Sequence, residues 1–323
     1  MPIWHEEDLM LRYALRRVPS ALAVLAIASV VVFGVLHLAP GDPAVLAAGP
    51  DASAKTVSAV RHQLGLDASL PHQYLTWLGG VLTGDLGDSY VRGVPVATLI
   101  GNGLGNTLEL TLGAIVLAVL LGGLAGLVLG VAKGRLVRGA TAAATALAFA
   151  IPPYVSGVLL VMVFAITHRI LPAGGHVSVL ADPEIGVQYL IMPALALALP
   201  AAAVLARFLS TSIRRVFDED YIRIGAAKGL RRRRIVLCHA LPNALPPVLT
   251  VLGIQIGQML GGAIVVEAIF AWPGVGQLII DSLKSSDYFV VQNLLLITVT
   301  VFVVLQTVTD LLHAAVDPRL RME

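Results

Sequence analysis

Residues 107–132 read TLELTLGAIVLAVLLGGLAGLVLGVA. One side chain in this run is ionisable, Glu109, and it stands near the start. A helix rises about 1.5 Å per residue, so roughly 20 apolar residues cross a hydrocarbon core of about 30 Å. The run therefore predicts a membrane-spanning helix. Five more windows meet the same test, at about 18–39, 140–167, 190–209, 246–270 and 289–315. The 323-residue chain agrees as a whole: 57% is hydrophobic, only 13% is charged, and the mean hydropathy is +0.85. Soluble domains carry about a quarter charged residues. The expected fold is an all-α polytopic membrane protein with six transmembrane helices. The first window follows Arg12, Arg16 and Arg17, as a signal peptide would, but its length suits a retained span.

Lys133, Arg135 and Arg138 follow the quoted run directly and start the topology argument. Lysine and arginine concentrate on the cytoplasmic side of membrane proteins. Threading six spans puts 17 of the 22 basic residues on one side, including nine between Arg207 and Arg234. Lys55, Arg61, Arg92, Arg169 and Lys284 fall on the other. Both termini are expected in the cytoplasm. The chain then reads as a first span plus a long extracytoplasmic loop over 1–98, followed by a core over 99–323. Within the loop, APGDP (39–43) signals a turn. Tyr74, Trp77, Leu78, Val81 and Leu82 recur at helical spacing, predicting a short helix on the membrane or against the bundle.

Gly122, Gly126 and Gly130 recur every four residues, which suits close helix contact within one bundle or between subunits. Pro152 and Pro153 should bend the third span or delay its start. Glu109, Glu267, Asp310, His37, His168 and His313 all lie near expected span ends, where polar groups reach the interface. A proton-coupled pump would want carboxylates deeper. No phosphate-cradling loop, zinc-protease motif or serine nucleophile motif occurs, so no catalytic residue and no metal site is expected. The single cysteine, Cys238, reads as a passive helix residue.

The cytoplasmic loop at about 210–243 carries GAAKGLRRRRIVLCHALPN over 225–243. Asp218, Glu219 and Asp220 precede YIRIGAAK, and Gly229 follows it, giving helix start and stop signals. A second short helix is expected from Arg231 to about Ala240, with a break at Pro242. Two short helices at an angle make a knob suited to a cleft on another protein. The alternative is a positive-inside anchor in contact with anionic lipid.

Gly229, nine residues, His239, one residue and Leu241-Pro242 resemble the G-x9-I-x-L-P frame of the EAA loop in binding-protein-dependent ABC importer permeases. Arg223 stands where many of these families have an acidic residue, and His239 replaces isoleucine, as in the dipeptide, oligopeptide and nickel branch. LHLAPGDP (36–43), YLTWLGGVLTGDLGDSY (74–90), VVEAIFAWPGVGQLIIDS (265–282) and DPRLR (317–321) are similar to that branch in the same order.

The resemblance implies a type I ABC importer permease fold in a bacterial or archaeal plasma (inner) membrane. It implies a second homologous permease subunit, two cytoplasmic ATPase subunits that bind ATP and Mg, and an extracytoplasmic substrate-binding protein. This chain itself would hold no cofactor and catalyse nothing. Tyr221, Arg223, Gly225, Ala226, Ala227, Lys228 and Gly229 would couple to the ATPase, with Leu241 and Pro242 joining the knob to the fifth span. Arg231 to Arg234 would supply orientation and surface charge. Trp272, Pro273 and Gly274 would face the binding protein. Di- or oligopeptides are the expected solute, with glutathione or nickel as alternatives in the same branch. An ion-coupled secondary transporter and a purely structural subunit are the competing classes.

Overall fold

The computed structural model describes residues 4–38, 42–49 and 51–316, and among these the chain is helical with no strand. Helix α1 (Trp4–His37) is followed by three short helices, α2 (Pro43–Ala48), α3 (Ala54–Gln63) and α4 (Leu70–Thr83). The long α5 (Val96–Val131) leads to α6 (Arg135–Ala150) and α7 (Pro153–Leu160), which continues as a π-helix over Val161–Thr167. Then come α8 (Pro183–Phe217), α9 (Asp220–Ala227) and the single turn α10 (Arg232–Arg234). A second π-helix, Ile235–Ala240, runs into α11 (Leu241–Ile269); α12 (Val275–Lys284) and α13 (Tyr288–Val316) follow.

Val18–His37 of α1, all of α5, all of α8 and the stretch Arg232–Ile269 are each long and apolar enough to cross a membrane. Helices α6 and α7 pass that test together, bent by 105°. The cause is local. Ile151 precedes a proline and takes φ −88°, ψ 119°, and Pro152 is also extended at ψ 149°, so two residues leave the helical path before Pro153 starts α7. The sixth expected window falls on α13, where Tyr288–Val304 is the shorter apolar helix. Residues 39–41 of the APGDP turn and the DPRLR ending lie outside the described residues; Asp42 and Pro43 cap and open α2.

The chain divides into two compact units that do not follow chain order: Met1–Asn106 with Pro273–Glu323, and Thr107–Trp272. The expected boundary at residue 98 falls inside α5. In the first unit α1 packs on α13 and on α4. Trp77 is buried with Phe33 and Leu296, and its indole N–H donates to Asn293 Oδ1 at 3.1 Å. The α4 pattern thus marks a helix packed on its own unit. The following loop is held as well: Tyr90 donates its hydroxyl proton to the Ser286 carbonyl (2.6 Å) and accepts from the Tyr288 amide (2.8 Å). Burial pushes the Tyr90 pKa up to about 12.

In the second unit α8 is the central helix, packed on α6, α7 and α11. Its alanines 194, 196, 198, 201, 202, 203 and 206 are buried. The glycines of α5 face it: a Cβ at Gly122 would sit 2.7 Å from the Ala202 carbonyl, and one at Gly126 2.8 Å from Leu209 Cβ. The small-residue stripe therefore serves contact within this bundle. Apolar helices in lipid gain little from desolvation, so dispersion across such close approaches holds them together.

Two expectations need correction. Pro242 does not break the chain, because the π-helix before it passes directly into α11. The Leu241 amide bonds five residues back, to Val236, and the widened turn accommodates the proline ring without a stop. Glu267 does not reach an interface. It is fully buried and accepts the Thr107 hydroxyl proton at 2.6 Å. Glu109 likewise turns inward, accepting from the Val179 amide (2.6 Å) and pairing with His176 (3.1 Å). Nearby polar partners made it possible to bury the Glu267 carboxylate fully and the Glu109 carboxylate in part. The side chains of Asp310 and His313 lie outside the described residues.

Candidate functional site

The site is built on the loop between α8 and α11. Helix α9 starts at the N-cap Glu219, and Asp220 places negative charge in its first turn, which suits the helix dipole. One side chain anchors it: Ile222 is buried among Ile213, Val216 and Ile235. On the outward side Tyr221 is 45% exposed and Ile224 53%, both large apolar groups left uncovered. Arg223 is also exposed and forms a 3.5 Å ion pair with Asp220.

The end of α9 follows from its sequence. The Leu230 amide bonds the Gly225 carbonyl (3.2 Å) and the Gly229 amide bonds the Ala226 carbonyl (3.0 Å). This paired bonding satisfies the last carbonyls and requires a left-handed residue just past the cap. Gly229 supplies it at φ +83°. A Cβ there would meet nothing within 4 Å, so backbone strain is what selects glycine. Gly225 itself lies inside the helix, with Leu230 Cδ1 3.3 Å from where its Cβ would be. Ala226, Ala227, Lys228 and Gly229 are exposed at the tip. Leu241 packs against the cluster that holds Ile222, and Pro242 is exposed. The loop therefore presents a small-residue tip beside an apolar face.

Two arginines have roles that local sequence did not suggest. Arg214 in the last turn of α8 donates to the Leu129 carbonyl at 2.7 Å, and Arg232 in α10 donates to the Val131 carbonyl at 2.7 Å. Both acceptors belong to the C-terminal turn of α5, where carbonyls lack helical partners. The arginine block is therefore not uniform surface charge, because Arg232 has a defined acceptor.

At the other end of the second unit, Trp272 is fully buried, with its ring edge-on to His176 at 4.5 Å. Pro273 is exposed; Gly274 is buried and lines a groove with Asn102, Asn106, Gln277 and Asp281. The Asn106 amide donates to the Pro273 carbonyl at 2.9 Å. Of the three residues expected to face outward, Pro273 alone offers surface, and Trp272 is core. Among the described residues no group of three or more histidine, cysteine or acidic side chains stands close enough to hold a metal.

Residues 118–322 match the family described as binding-protein-dependent transport system inner membrane component. Residues 10–111 match the N-terminal part described for the same transport system. A probable peptide ABC transporter permease protein of Sinorhizobium fredii is 37% identical over 309 residues, covering 96% of this chain and 99% of that one. A glutathione transport system permease protein of Escherichia coli K12 is 39% identical over 312 residues, covering 97% and 99%. Two solved structures share the fold, an amino acid ABC transporter (TM-score 0.52, 18% identity) and the MetNI methionine ABC transporter (TM-score 0.52, 20% identity). Each covers 68% of this chain, and the matched part is 94% of the first and 96% of the second.

Proposed function

The chain belongs to the inner-membrane components of binding-protein-dependent transport systems, and from that we propose that it is the peptide-conducting permease half of an ATP-driven importer. It pairs with a second homologous permease and contributes α9 and the tip at Gly229 to a groove on a cytoplasmic ATPase. Six spans with both termini inside complete the arrangement. The partner ATPases bind ATP and Mg and do the chemistry; this chain is non-catalytic. Exposed Tyr221 and Ile224 beside a strain-selected glycine are the observation that carries the docking role. Arg223 and Lys228 add charge at the rim, and Leu241 and Pro242 connect the tip to α11. On the outer face Pro273 offers surface to a solute-binding protein, while Trp272 and Gly274 shape the chain around it.

Peptide is favoured as the solute because both named relatives handle peptides, glutathione being a tripeptide. The test is uptake into vesicles carrying both permease subunits, the two ATPases and the loaded binding protein. A radiolabelled di- or oligopeptide should accumulate only with ATP, and glutathione and nickel are run beside it. Nickel uptake without peptide uptake overturns the solute assignment. Uphill accumulation by this polypeptide alone overturns the importer reading in favour of an ion-coupled carrier.

A further inference from the structure

A helix of α5's length leaves its final carbonyls without internal donors. Three of them are accounted for: Val128 accepts from the Ala132 amide (2.9 Å), Leu129 from Arg214 and Val131 from Arg232. The two arginines have special places in the chain. Arg214 stands just before the α9 loop and Arg232 just after it, so both roots of the loop are tied to one helix end. Packing at the same level makes this a block. A Cβ at Gly130 would lie 2.9 Å from Ile213 Cγ2, and Leu127 and Val131 pack on the cluster that contains Ile222 of α9. A guanidinium at a helix C-terminus also meets the negative end of the dipole, and its planar fork holds direction better than an ammonium. Arg231, Arg233 and Arg234 make no such contact among the described residues.

We propose that Arg214 and Arg232 are positioning residues that clamp the C-terminal turn of α5 to both roots of the α9 loop. Displacement of α9 by the ATPase passes through them to α5. Without them the loop still docks and is still displaced, but α5 is held by apolar contacts alone, which permit sliding. The inference rests on α9 being the docking element, so its test reads docking and transmission separately.

The full transporter is reconstituted in vesicles with the loaded binding protein, on a Cys238→Ser background. Ala227→Cys reports docking by cross-linking to the ATPase, and solute taken up per ATP hydrolysed reports transmission. The paired Arg214→Gln, Arg232→Gln chain should keep the cross-link while uptake per ATP falls about tenfold, the scale of a lost charge-assisted bond. Lysine at both positions should recover part of the ratio, because an ammonium still donates. Paired Arg233→Gln, Arg234→Gln, which removes the same two charges from exposed positions without a carbonyl acceptor among the described residues, should leave the ratio alone. An unchanged ratio with the cross-link retained overturns the clamp and leaves docking standing. So does an equal fall in the Arg233→Gln, Arg234→Gln pair, which would mean that charge alone acts. So does a parallel loss of uptake and hydrolysis with a lowered unfolding temperature, the behaviour of a plain cap. No cross-link with the arginines intact overturns docking and the clamp together. If the paired variant does not assemble, single Arg232→Lys is read by the same ratio.

Discussion

Gly229 shows what one residue can decide here. Its φ of +83° lies where a β-branched side chain is strained, at roughly 1–3 kcal/mol. The space around it is open, with nothing within 4 Å of where a Cβ would stand. Gly229→Val should therefore leave the membrane bundle intact and distort the tip, abolishing the stimulation of ATP hydrolysis by loaded binding protein in the reconstituted complex. Gly229→Asn should retain a measurable part, because asparagine tolerates the left-handed region. Full stimulation with valine would remove this residue from coupling. The glycine was legible in the sequence because a helix stop is a local signal, built from residues adjacent in the chain. Arg232 was not, since its acceptor, Val131, is 101 residues away and a run of four arginines gives no hint that one differs. Glu267 was misread for a related reason. Proximity to a span end suggested an interface, whereas the Thr107 hydroxyl that donates to its carboxylate comes from another helix.

Between elements, the governing facts are how closely helices approach and which polar groups fasten them. Gly126 allows α5 to lie against Leu209 and the Ala206 carbonyl of α8, where a Cβ would fall 2.8 and 3.0 Å away. Gly126→Leu should force the helices apart and cost on the order of 1–3 kcal/mol by overpacking. The expected readout is a lower unfolding temperature in detergent, with Gly123→Leu, whose Cβ direction is open, as the matched control. The loop after α4 is fastened differently, through the Tyr90 hydroxyl between Ser286 and Tyr288. Burial raises that hydroxyl's pKa to about 12 from 10.0, so the folded state holds the proton more tightly than the unfolded state. The stabilisation is complete below the unfolded value and is lost as pH rises through the folded one. Thermal unfolding followed upward from about pH 9 should show a declining midpoint, and Tyr90→Phe should flatten that decline. The periodicity of α4 foretold a helix with one buried face, and the structure adds Asn293 as its partner. The Pro242 break was mispredicted because a proline reads as a stop in sequence, whereas a π-helix upstream makes room for it.

For the whole molecule the question is which ends of the helices share a membrane face. The second unit answers part of it by contact alone. Arg232 touches the carbonyl that ends α5, so the basic segment at 133–138 and the arginine run at 231–234 lie at the same end of that helix. Glu109, near the other end of α5, holds His176 and the Val179 amide, which places the loop at 168–182 opposite. These contacts join in space the two basic clusters that charge counting had assigned to one side. The lone native thiol reports the orientation. Cys238 is exposed in the π-helix beside the arginines, and Leu180 is 95% exposed at the opposite end. A membrane-impermeant maleimide added to intact cells should leave Cys238 unlabelled and should label it in inside-out vesicles. On a Cys238→Ser background, Leu180→Cys should give the reverse pattern. Labelling of Cys238 from outside would invert the orientation and put the α9 tip on the face opposite any cytoplasmic ATPase. The coupling role of Gly229 and the clamp at Arg214 and Arg232 would then fail together, because no nucleotide-driven stroke could reach them from that side.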